Sequence, residues 1–266
     1  MKSRILTIFF LLSLLNQSFA SFIVSPTHGS ISVDPADKKT PTTSFYIENG
    51  DKEPIAVDIS LRKRTVDQNG EVIDSIPKDL SDRLSAYPKQ FIVKPNEKRT
   101  VRVIFKGEKN ISSEENYRII IQRVPVTLTR HKKDKNKDKK AGVVELLVQY
   151  HGNLFVTPTS AKAELNLVSF EKKTVTNGKE KADGIQLNFQ NKGTASFPIE
   201  NYTAEIHYLN QKGENVEKTI KQQDIPVKNA FYDLSRVRVY KNSKQKIFLQ
   251  LNEPIKEVKD VKIKFE

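Results

Sequence analysis

No cysteine occurs anywhere in the 266 residues. Disulfides, thiolate metal sites and thiol nucleophiles are therefore excluded, and each folded unit must be held by its core alone. Tryptophan is absent as well, and histidine occurs four times. No two of His28, His131, His151 and His207 stand at metal-ligand spacing. The sequence shows no glycine-rich phosphate loop and no nucleophile elbow. These absences lead us to expect no enzyme, no catalytic residue, no metal and no cofactor.

Long apolar runs are scarce too. The only candidate lies at the start, where Lys2 and Arg4 precede the run Ile5 to Leu15, and Ser18-Phe19-Ala20 offers a small-x-small cleavage site. That pattern reads as a secretory signal peptide over residues 1–20, with a run too short to span a bilayer as a helix. The mature chain is expected to begin at Ser21 and to be exported, with no stable membrane insertion. Setting aside Lys2 and Arg4 lowers the formal charge from +13 to +11.

Much of the remaining positive charge sits in one place. Between Arg130 and Lys140 there are seven basic and two acidic residues, and outside this loop the first half of the mature chain is nearly neutral. A strongly basic protein raises the question of nucleic acid. Neither an aromatic stacking platform nor a helix-turn-helix pattern accompanies the charge, so nucleic acid is not expected as a partner.

What is present is alternation. Phe45 and Ile47 fall on one side of "TTSFYIEN"; Ile55, Val57, Ile59 and Leu61 recur at period two; Val101, Val103 and Phe105 alternate with Arg102 and Ile104. "NYRIIIQRVPV" adds a strand closed by Pro125. Turn signals bound these runs at Asn49-Gly50-Asp51, Asp67-Gln68-Asn69-Gly70, Lys94-Pro95-Asn96 and Lys106-Gly107. One short helical turn is expected around Leu80 to Leu84, ended by Pro88. A second strand series follows Pro158. It places Leu165, Leu167 and Ser169 on one face, then Ile185, Leu187 and Phe189, then Ala204, Ile206 and Tyr208. A hairpin around Lys241-Asn242-Ser243 comes next, and Val261, Ile263 and Phe265 close the series. Short strands with one polar face predict an all-β fold of two antiparallel sandwich domains, residues 21–158 and 159–266.

Three stretches carry a family resemblance. "AYPKQFIVKPNEKRTVRVIF" (86–105), "EENYRIIIQRVPV" (114–126) and "VVELLVQYHGNLFVTP" (143–158) come in that order, separated by a variable loop. Together they resemble the N-terminal domain of periplasmic PapD-like pilus-assembly chaperones. The second domain is similar at "LNFQNKGTASFPI" (187–199). The resemblance implies two immunoglobulin-like sandwiches, a periplasmic location, pilus or fibre subunits as partners, and an outer-membrane usher as a further one.

It also implies a mechanism, donor-strand complementation: a chaperone edge strand completes a subunit that lacks one of its own. Here the lending strand would be Val143 to Tyr150. Val144, Leu146, Val148 and Tyr150 would enter the subunit groove, while Val143, Glu145, Leu147 and Gln149 would turn partly toward the chaperone's own core. In the family, an arginine and a lysine in the cleft between domains grip the subunit's terminal carboxylate. The resemblance puts His28 and Asn153 at those positions, with His151 beside the cleft as a third candidate. Thr157 replaces the basic residue that precedes the hinge proline. The lysine comb would then border the lending edge and discourage self-pairing. The rival reading is an exported immunoglobulin-like component of a surface appendage or coat.

Overall fold

The computed structural model describes residues 22–124, 147–177, 180–199, 202–221, 238–251 and 254–265. The segment expected to be a signal peptide, the lysine comb, Val144 and Leu146 lie outside these residues. Among them, no helix is long and apolar enough to cross a membrane.

Two β-sandwiches account for the described residues, each with its own core. In the first, one sheet takes the order β1 (Phe22–Ser25), β3 (Thr42–Asn49), β8 (Lys98–Phe105) and β6 (Leu84–Tyr87). The facing sheet runs β2 (His28–Val33), β10 (Gln149–Pro158), β9 (Glu115–Val124), β4 (Ile55–Val66) and β5 (Val72–Ser75), with β7 (Gln90–Val93) also on β4. Every pairing is antiparallel except that of β10 with β2. Phe45, Ile47, Ile55, Val57, Val101, Val103 and Phe105 all point inward and are at most 1% exposed. The alternation in the sequence therefore places the apolar half of each strand between the sheets.

The chain changes sheets between β1 and β2. That crossing brings Gly29 close to the core, where a Cβ would stand 2.8 Å from Phe45 Cζ and 3.0 Å from Leu154 Cδ1. Overpacking of this kind costs about 1–3 kcal/mol. Gly29→Val should lower the urea midpoint of the intact chain accordingly.

The second sandwich packs β11 (Leu165–Asn177), β12 (Glu180–Asn191) and β17 (Ser243–Gln250) against β15 (Asn215–Lys221), β14 (Tyr202–Asn210) and β18 (Ile255–Phe265). A two-stranded ribbon, β13 (Phe197–Pro198) with β16 (Arg238–Val239), completes it. Three local expectations are corrected. The helical turn α1 (Leu80–Arg83) ends because Leu84 is already extended and enters β6, four residues before Pro88. The register of β11 slips between Leu167 and Ser169, so Phe170 takes the inward position expected of Ser169; one extra residue in a strand reverses the faces beyond it. Arg238 to Leu251 is no hairpin, because β16 pairs with β13 and β17 with β12.

Candidate functional site

Strand β10 is central near its C-terminal end and an edge near its N-terminal end. β9 pairs with it from Gln149 to Val156, whereas β2 pairs only from Asn153 to Pro158. The Arg123 N–H donates to the Val148 carbonyl at 3.0 Å, and the Thr159 N–H donates to Val33 at 3.0 Å. Even-numbered residues therefore turn their main chain to β9, and odd-numbered ones to the other side. On that other side, the backbone groups of Gln149 and His151 face no strand among the described residues. The crossing of the chain into β1 vacates this edge, and the Tyr150 hydroxyl marks its limit by donating to the Thr27 carbonyl at 2.6 Å.

The faces of β10 correct the expected arrangement. Val148 and Tyr150 are half-buried against the core of the first sandwich, as Gly152 and Leu154 are buried beyond them. Leu147 is 52% exposed and Gln149 is exposed. The physical reason is parity: with Leu154 fixed inside, every even-numbered side chain shares its face.

His28 and Asn153, the two cleft candidates, are direct register partners. The row continues across the outer face of the sheet through Arg118 to Arg62. Asn153 accepts a hydrogen bond from Arg64 Nη1. Arg64 is 5% exposed and grips Asp74 through Nε at 2.9 Å and Nη2 at 3.2 Å. Arg118 Nε lies 2.8 Å from Asp74 Oδ2, but its N–H is not aimed along that line, so the contact is an ion pair rather than a hydrogen bond. Burial works against the Arg64 cation, yet Asp74, hydrogen-bonded to it, and the Tyr240 oxygen nearby hold its pKa above the ordinary value.

His151 is not free either. Arg118 Nη1 donates to its Nδ1 at 2.9 Å, so the ring is neutral and carries its proton on Nε2, which donates to Gln149 Oε1 at 2.7 Å. Gln149 in turn donates to Gln122 at 3.0 Å. Among the described residues, the hydrogen-bond contact of His28 is with the Thr27 hydroxyl, at 3.5 Å.

The second sandwich closes one side of this region. Tyr240 packs against Phe155 with the rings tilted by 37° and their centroids 6.3 Å apart, and the Arg238 guanidinium lies 4.1 Å over the Phe155 ring. Below them Glu114, 2% exposed, accepts hydrogen bonds from Thr157 Oγ1 at 2.9 Å, Ser196 Oγ at 2.6 Å and Ser196 N at 3.4 Å. Arg238 donates to the same Ser196 hydroxyl at 2.8 Å. Thr157 thus joins the domains through Glu114 without a charge of its own. Lys241 reaches Ser113 at 2.6 Å, and burial lowers its pKa against the pull of Glu114 and Glu115. A second tie runs from the Lys244 N–H to the Gln68 carbonyl at 3.0 Å.

Sequence reasoning missed Arg62, Arg64, Asp74, Arg118 and Tyr240. One signal was available: the polar complement of the Ile55 to Leu61 alternation is Asp58, Ser60, Arg62 and Arg64, one chemically rich face of β4. Their meeting with β5, β9 and Tyr240 is tertiary. The described residues contain no group of three or more His, Asp or Glu side chains able to hold a metal.

Residues 35–162 match the family model described as pili and flagellar-assembly chaperone, PapD N-terminal domain. No curated protein sequence matches the chain. The crystal structure of the class 5 fimbriae chaperone CfaA is 14% identical, covers 92% of this chain and 98% of its own, and superposes with a TM-score of 0.50. A chaperone–tip adhesin complex of CFA/I fimbriae is 15% identical, with 92% and 95% covered and a TM-score of 0.49. The CsuC–CsuE pre-assembly complex of Acinetobacter baumannii is 16% identical, with 86% and 90% covered and a TM-score of 0.44. Residues 35–162 thus match the PapD N-terminal domain of pilus-assembly chaperones, and the likeness to the CfaA structure shows the same two-sandwich immunoglobulin-like fold over most of the chain.

Proposed function

We propose that this protein is a periplasmic chaperone that holds pilus or surface-fibre subunits by lending them β10 and the residues just before it. Delivery would be to an outer-membrane usher. The observation that carries the reading is the edge at Gln149 and His151, which faces no strand among the described residues upstream of where β2 begins to pair. A bare edge attracts further strands, and an apolar strand beside it supplies alternate side chains for a groove. The inward face of β10 fills the chaperone's core at Val148 and Tyr150. By sequence parity with Val148 and Tyr150, Leu146 and Val144 are the residues we assign as the knobs offered to the subunit's core.

Proline separates main-chain lending from side-chain contact. Gln149→Pro removes one outward N–H and leaves the β9 ladder intact, as proline on an edge permits. Gln149→Ala keeps the N–H and loses only the side chain. One hydrogen bond contributes about 0.5–1.5 kcal/mol net, so the proline variant should release a co-purified subunit about two- to tenfold faster than the alanine variant. Equal release rates would argue that this edge lends nothing.

A further inference from the structure

The second sandwich has free edges of its own. Among the described residues β11 pairs only with β12, and β18 only with β14. β11 and β18 lie beside each other across the sandwich without pairing, and a groove of about 400 Å³ opens between them. Its floor is Leu165, Leu167 and Phe170 of β11 with Ile263 and Phe265 of β18. All five are only half-buried, whereas Ile185, Leu187, Ala204 and Ile206 inside the same sheets are at most 3% exposed. An apolar floor flanked by unpaired main chain has the shape of a seat for one more strand. The two edges are not equivalent. β11 is bulged at Val168, which stands 57% exposed, and a bulge twists an edge away from partners. β18 runs in regular register from Val261 to Phe265 against Ile206 to Tyr202, so it is the edge fit to be extended. The outer face of that stretch carries Lys262 and Lys264, both exposed. Their ion pairs are with Asp260 of β18 itself, at 3.7 Å, and with Glu205 of β14, at 2.7 Å. Opposite charges are favoured across a ladder. A strand laid along β18 would therefore set apolar residues over Ile263 and Phe265 and acidic ones beside Lys262 and Lys264.

We propose that β18 is a strand-accepting edge, which binds an extended segment of a partner protein in which apolar and acidic residues alternate. The site takes a strand where β10 gives one, and it does not depend on the lending function proposed above. A second copy of this chain fits the site poorly. The chain has a formal charge of +13, and its own lending strand follows a loop with seven basic and two acidic residues, which would meet Lys262 and Lys264 with like charge.

The test uses the full-length chain and labelled synthetic peptides, read by fluorescence anisotropy. A peptide alternating valine and glutamate should bind about tenfold more tightly than one alternating valine and lysine, or than the same valines and glutamates arranged in two blocks. The double variant Lys262→Glu/Lys264→Glu should reverse the preference between glutamate and lysine peptides. Both side chains are exposed, so its melting temperature should stay close to that of the unaltered chain. Location is read separately. Ser169 lines the groove, and in a chain without cysteine Ser169→Cys supplies a single thiol. A valine–glutamate peptide tipped with a bromoacetyl group should alkylate Ser169→Cys about tenfold faster than Gln149→Cys, each rate taken relative to free bromoacetamide, because bound peptide raises the local concentration of the reagent. Equal affinity for the three peptides, or a charge swap that leaves the preference unchanged, would overturn the proposal. So would faster labelling of Gln149→Cys, which would place the peptide on the lending edge. Ser169→Cys chains that oxidise to a disulfide-linked dimer without peptide would assign the groove to a second copy and overturn it as well. Should the charge-swapped variant fail to fold, the labelling rates decide alone.

Discussion

Leu146→Asp should abolish co-purification of the subunit while leaving the chaperone folded. Residue 146 lies outside the described residues, upstream of the Gln149–Gln122 register pair, and the melting curve below checks that the free variant keeps its fold. The loss has two parts. A leucine buried in an apolar groove contributes about 1.5–3 kcal/mol. A carboxylate forced into that groove must be desolvated or protonated, which costs several kcal/mol more. Every 1.4 kcal/mol is a factor of ten in affinity, and the sum removes a complex that survives purification. The measurement is recovery of tagged chaperone with its subunit from periplasm, beside a melting curve of the free variant. A variant that melts normally and still carries its subunit would exclude lending at this position.

Glu114→Ala should uncouple the two domains. The wild-type carboxylate accepts from Thr157, from the Ser196 hydroxyl and, at longer range, from the Ser196 N–H, and it does so in a site 2% exposed. Hydrogen bonds to a charged acceptor contribute about 1.5–3 kcal/mol each, so the interface should lose roughly 3–5 kcal/mol. Water enters where the carboxylate stood, and Arg238 loses the neighbour that oriented its Ser196 partner. Two melting transitions should replace one, and small-angle scattering should report a larger radius of gyration. A single transition at the wild-type temperature would mean that Phe155, Tyr240 and the Lys244–Gln68 contact hold the domains without Glu114. Subunit retention should fall in step with the uncoupling, because Tyr240 packs on Phe155 of β10 only from a docked second domain.

The two predictions probe different levels of legibility. Leu146 belongs to an alternating run that the sequence displays openly, and its importance follows from that pattern and the family's use of it. Glu114 sits in "SSEENY", where nothing distinguishes it from Glu115 next to it. Yet Glu114 is buried between domains, while Glu115 is held below the ordinary carboxyl range by Arg83, Tyr117 and Lys63, against the opposing effect of burial. Neighbouring residues on a strand face opposite sides, so adjacent glutamates enter unrelated environments. Similarly, His28 and Asn153 were placed by resemblance, but their pairing across β2 and β10 needed the parallel register. The bulge at Val168 had no signal: one inserted residue leaves the composition of β11 unchanged and reverses every face after it.

The sequence by itself determined that this is an all-β protein, because period-two alternation can be satisfied only by burying one face of each strand. It also determined that the cores carry the stability, since no cysteine is available to share it. Only the tertiary structure decided which end of β10 is an edge, because that depends on where the chain crosses from one sheet to the other. It alone decided where the cleft's charge lies. A strand pattern specifies which residues face outward, and the arrangement of strands specifies which of them meet, so Arg62, Arg64, Asp74 and Arg118 become one site only once β4, β5 and β9 are laid side by side.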